Sequence, residues 1–170
     1  MINALCKLTR FKHPNLIQRC VLSWVATMEF PRLIDVNASS KLIRTKKKLL
    51  IVGRCLVTEH PEVVERFRDY AIVTACPEAE HVNMLGFKLF GIVIRNQLDE
   101  IAVLTTDGSM HCIQLHYMVE EIARRIDFRR RHFVYENAEV IEIPPEVVKI
   151  SRYMSKVAKL YSTVKSGVHR

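Results

Sequence analysis

Three runs of nearly unbroken apolar residues punctuate the middle of the chain: Leu49-Leu50-Ile51-Val52-Gly53, Ala71-Ile72-Val73-Thr74-Ala75 and Ile101-Ala102-Val103-Leu104-Thr105. A strand with one face in water alternates apolar and polar residues. Runs this continuous and β-branched predict strands covered on both faces, as in a parallel sheet. Between the runs the apolar spacing changes to three and four. Val63, Val64 and Phe67 follow His60-Pro61, where proline suits a first helical turn. Val82, Leu85, Leu89 and Val93 predict a helix over about residues 77–97, with Gly86 and Gly91 placed for close packing. After a turn at Asp107-Gly108-Ser109, Ile113, Tyr117, Glu120 and Arg124 predict a third helix over residues 111–126.

Strand and helix alternating three times predict an α/β fold. The expected form is a three-layer, flavodoxin-like or Rossmann-like domain with a mainly parallel sheet, the first strand lying between the second and third. The tail departs from this rhythm. His132-Phe133-Val134-Tyr135 and Glu139-Val140-Ile141-Glu142-Ile143 flank Glu136-Asn137-Ala138, which predicts a strand pair at the sheet edge. After Pro144-Pro145, a last helix over residues 146–163 carries Val147, Ile150, Met154, Val157 and Leu160 in one stripe. Residues 1–45 read as an N-terminal extension with an amphipathic helix over residues 15–28, Met28 as an alternative start, and a joint at residues 37–45. Residues 46–170 read as a single α/β domain.

The composition agrees with a globular core: 170 residues, 49% hydrophobic and 26% charged. No run approaches the roughly 18 apolar residues of a membrane span. Lys7, Arg10, Lys12 and Arg19 interrupt the apolar N-terminus too often for a secretory signal. Five cysteines, an odd number without an export signal, predict reduced thiols and a cytoplasmic setting.

The 26 Lys and Arg outnumber the 18 Asp and Glu, giving a net charge of +8. Lys46-Lys47-Lys48 and Arg129-Arg130-Arg131 are the densest clusters and the candidate basic patch. They are read either as solvated element ends or as a docking face for nucleic acid or an acidic protein, such as an electron-transfer partner. No RNP-like, zinc-finger or helix-turn-helix pattern accompanies them.

The candidate chemistry lies in the cysteines. Cys55, Cys76 and Cys112 each follow a predicted strand, and the carboxyl ends of strands are where open α/β sheets bind ligands. His81, His111 and His116 fall on the same edge, with Cys112 and His116 four apart on a predicted helix. Thiolate with imidazole is the donor set of zinc and iron–sulfur sites. Glu78, Glu80 and Asp107 are expected beside these ligands, orienting them or taking part in catalysis. Cys76-Pro77-Glu78-Ala79-Glu80 resembles the Cys-Pro cluster loop of the small iron–sulfur subunits of respiratory complex I and nickel–iron hydrogenases, although the paired cysteines of complex I are missing. That resemblance implies a cluster at strand ends.

The leading expectation is a metal- or iron–sulfur-binding protein of redox chemistry or electron transfer. A metal-free basic binding module and a cysteine-dependent small-molecule enzyme are the alternatives, the latter with Cys76 or Cys112 as nucleophile. No dinucleotide fingerprint, Walker A loop or nucleophile elbow is present.

Overall fold

The computed structural model describes residues 30–167. The three apolar runs are β1 (Lys48–Gly53), β2 (Ala71–Ala75) and β3 (Glu100–Thr106), buried along almost their whole lengths. β1 pairs in parallel with both others, Ile51 lying opposite Val73 on one side and Val103 on the other. β3 continues in parallel to β4 (Arg129–Glu136), and β5 (Glu139–Ile143) closes an antiparallel hairpin on it. The sheet order is β2-β1-β3-β4-β5.

Because side chains alternate along a strand, each parallel strand feeds two cores. Leu49, Ile51, Val73, Ile101 and Val103 point to one face, under α4 (Val82–Arg95) and α5 (Ile113–Ile122). Leu50, Val52, Ile72, Leu104 and Phe133 point to the other. There they meet α2 (Arg54–Glu59), α3 (Pro61–Val64) and the 3-10 turn Glu65–Phe67. The expected three-layer α/β arrangement is therefore observed.

Four local expectations are corrected. The joint expected at residues 37–45 is packed instead: Ile43 of α1 (Lys41–Lys46) is buried in the α4/α5 core, alongside Leu33. Upstream of it, Leu33 donates a backbone hydrogen bond to Thr74 O and Thr74 donates to Pro31 O, tying this stretch to β2. The helix predicted from residue 77 begins at Val82, because Ala79 N–H and Glu80 N–H both donate to Cys76 O in a turn. Of its two glycines only Gly86 faces a neighbour, Met118 of α5; Gly91 faces open space. The last helix is two: α6 (Pro145–Ser151) and α7 (Met154–Gly167), interrupted at Arg152-Tyr153. The interruption breaks the apolar stripe. α6 buries Val148 rather than Val147, while Met154, Val157 and Leu160 of α7 face solvent.

The helix expected over residues 15–28, with Cys6 and Cys20, lies outside the described residues. Among the described residues no helix is long and apolar enough to cross a membrane.

Candidate functional site

The chain leaves β1 toward the α2/α3 face and leaves β3 toward the α5 face. Adjacent parallel strands whose continuations part in this way open a crevice at their carboxyl ends, where α/β folds place ligands. Cys55, in the first turn of α2, is exposed there, its Sγ 3.7 Å from Thr106 Oγ1. Cys112, buried just before α5, lies against the end of β1: a Cβ built on Gly53 would stand 3.9 Å from its Sγ. Cys76 is half-buried after β2.

Burial pushes the Cys112 thiol above its ordinary pKa, and the neighbouring Cys55, Cys76 and Glu78 push it further. A hydrogen bond with Ser109 opposes them. The structure thus gathers the three cysteines on one edge, as their strand-end positions predicted. Among the described residues, however, no group of three His, Cys, Asp or Glu is disposed as a metal ligand shell.

The other predicted residues divide. His111 stands with Glu78 on this edge, Nδ1 3.9 Å from Oε2. His81 is exposed at the start of α4. Glu80 supports the Cys76 loop, accepting the Cys76 backbone N–H at 2.9 Å and pairing with Arg54 at 2.5 Å. Asp107 is exposed, and its N–H donates to Tyr135 O across the sheet end. Gly108 turns the β3–α5 loop at φ +73°. Nothing crowds a Cβ there, so only backbone strain opposes a side chain. Gly108→Ala is expected to lower stability by roughly 1–2 kcal/mol, the left-handed cost, read as a lower urea midpoint.

His116 is the main correction. It points into the protein and makes no hydrogen bond to a thiol; its ring is consumed by a buried chain of hydrogen bonds. His116 Nε2 is 2.8 Å from Thr105 Oγ1, and its Nδ1 is 3.1 Å from Nδ1 of His132 on β4. His132 Nε2 is 2.9 Å from Glu120 Oε1. His132 is fully buried, and Thr105, His116 and Glu120 nearly so. Register explains the meeting. Val103 pairs with His132 and Thr105 lies two residues further along β3, so both side chains take the α5 face. His116 and Glu120 are one turn apart on α5, facing them. The His116–Glu120 spacing was visible in the sequence; its partner His132 was hidden inside a strand expected to be structural.

Glu120 faces two cations. Arg130 Nε lies 2.7 Å from Oε1 as a charge pair, without the alignment of a hydrogen bond, and Lys149 Nζ lies 3.5 Å from Oε2. Desolvation, with repulsion from His132, lowers the His116 pKa to about 3; burial also lowers that of His132, against the pull of Glu120. Both rings are neutral at pH 7, which fixes the protons. A carboxylate only accepts, so His132 carries its proton on Nε2 and His116 on Nδ1, leaving His116 Nε2 to accept from the Thr105 hydroxyl.

Beside this chain a cavity of about 490 Å³ opens between the β3–α5 loop, β4, β5 and α6. Thr105 and His116 form part of its wall, with Thr106, Ile113, Val134 and Val148.

The candidate basic patch is largely spent on internal pairing. Lys46 Nζ donates to Arg68 O and Tyr70 O, and Lys48 lies over the Tyr70 ring. Arg131 binds Glu142 through two nitrogens at 2.7 and 2.8 Å. Arg129 faces Glu100 at 3.6 Å. Strand alternation sends Arg130 to the opposite face, onto Glu120. Lys47 takes the left-handed position that ends α1.

A family model described as a Rossmann-like domain matches residues 42–165. No curated protein and no solved structure matches the chain.

Proposed function

The chain belongs to the Rossmann-like domain family, and from that premise we propose that its carboxyl edge holds a thiophilic metal or iron–sulfur cluster for redox chemistry. The observation that supports this reading is that Cys55, Cys76 and Cys112, from three separate strand ends, share one edge of the sheet, with Cys55 and Cys76 near enough to raise the pKa of Cys112. The donor set suits such a group. Cys55 and Cys76 lie close enough to raise the pKa of the Cys112 thiol, and a bound cation reverses such repulsion between thiolates. His111, beside Glu78 and next to Cys112 in sequence, is the imidazole that would complete the set. His116 is not part of it, because both its ring nitrogens are engaged elsewhere.

Binding requires the exposed Cys55 and half-buried Cys76 to turn toward Cys112. Glu80, paired with Arg54 and bound to the Cys76 N–H, holds that loop in place meanwhile. A bound cluster would supply electron transfer. The chain's own residues position the thiols and shelter Cys112 from water.

The test is metal and sulfide content of protein purified without oxygen, compared with Cys55→Ala/Cys76→Ala/Cys112→Ala. Iron with sulfide is expected near stoichiometric in the wild type and lost in the variant; zinc in its place would keep the thiolate site but overturn the redox role. Equal content in the two proteins, or none in either, overturns the reading.

A further inference from the structure

Independently of the thiols, we infer that the cavity beside Thr105 is a binding site for a small, uncharged, largely apolar molecule that carries one hydrogen-bond donor. Its volume, about 490 Å³, falls in the roughly 300–1,000 Å³ range of small-molecule sites. Its wall is mainly aliphatic, with Ile113, Val134, Ile143 and Val148. Among the described residues no Lys or Arg lines it, and Asp107 is the one acidic residue in its wall. Phosphates and carboxylates would therefore be buried there without a counter-charge, at high cost.

The hydrogen-bond chain sets the ligand's polarity. Glu120 lies between the cations Arg130 and Lys149 and accepts from His132 Nε2, so every proton in the chain points toward it. The Thr105 hydroxyl donates its hydrogen bond to His116 Nε2 and offers the cavity only lone pairs. A molecule meeting Thr105 through O–H or N–H completes the chain, whereas an ether or ketone oxygen faces another acceptor. Ser109 Oγ accepts the Cys112 N–H and is also hydrogen-bonded to the Cys112 thiol, so Thr105 is the polar group that sets the ligand's chemistry. Selectivity at the Thr105 end is thus set by one buried carboxylate that orients each proton in turn.

The test uses phenol and its methyl ether, anisole, titrated into the full-length ¹⁵N-labelled protein. Phenol is expected to shift the amides of residues 105–109 and 113–116 saturably. It should bind roughly tenfold tighter than anisole, the weight of one buried hydrogen bond. Thr105→Val should bring phenol down to the affinity of anisole. In ring ¹⁵N spectra of the wild type, His116 should be protonated on Nδ1 and His132 on Nε2. Equal affinity for the two probes, no saturable shift from either, or a His116 proton on Nε2 would each overturn the inference.

Discussion

Glu120→Ala is expected to cost about 3–5 kcal/mol of stability, the range for breaking a buried charged pair. The largest part of the loss falls on His132. Its ring is fully buried on β4, and without Glu120 its Nε2–H has no partner and no route to water. Arg130 loses its carboxylate too, but its side chain is 28% exposed and can swing outward, so it adds less. The carboxylate's departure also leaves a void under α5. Glu120→Gln keeps an acceptor oxygen for His132 and is expected to cost only about 1–2 kcal/mol. Replacing donor and acceptor together, as Glu120→Leu/His132→Leu, should be milder than Glu120→Leu alone, because no buried polar group is left orphaned. Urea midpoints of these variants decide it. A Glu120→Ala protein within about 1 kcal/mol of wild type would mean that the chain of hydrogen bonds adds little to the fold.

How much of this was legible beforehand depends on the kind of signal. The sheet was readable because β1, β2 and β3 are apolar on both faces, a pattern that only a covered parallel strand requires. The thiol edge followed from it, since position at a strand end is a property of sequence order. The buried relay did not follow. It joins Thr105, His116, Glu120 and His132 through the register of β3 on β4 and through the face that α5 presents, and neither is encoded in local spacing. The arginine run misled for a related reason. Arg129, Arg130 and Arg131 look like one patch in sequence, but strand alternation divides them between two faces and pairs them with Glu100, Glu120 and Glu142. The C-terminal stripe misled because periodicity says which residues share a face, and not whether anything lies against it. In α7 the stripe is solvent-exposed.

Acidification is expected to destabilise the protein well above the pH at which its carboxylates titrate. Burial, with repulsion from His132, lowers the His116 pKa to about 3, from an ordinary value of 6.5. Below pH 6.5 the unfolded chain therefore binds a proton at this position and the folded chain does not. Stability conferred by the neutral ring is complete above 6.5 and is lost as pH falls toward 3. The slope is about 1.4 kcal/mol per pH unit for one histidine, so roughly 2 kcal/mol is gone by pH 5. His132, also lowered by burial, acts in the same direction. Glu121 and Glu142, lowered mainly by hydrogen bonds from Arg152 and Arg131, also favour the folded state at neutral pH. Their share is lost only below their ordinary value of 4.5, and both are solvent-screened, so they add little. The two causes separate by pH and by mutation. In urea titrations between pH 7 and 5, wild type should lose stability steeply, and His116→Gln, which keeps polar atoms but cannot titrate, should lose less. A flat wild-type profile across that interval would place the proton on the folded protein and contradict a relay of two neutral imidazoles.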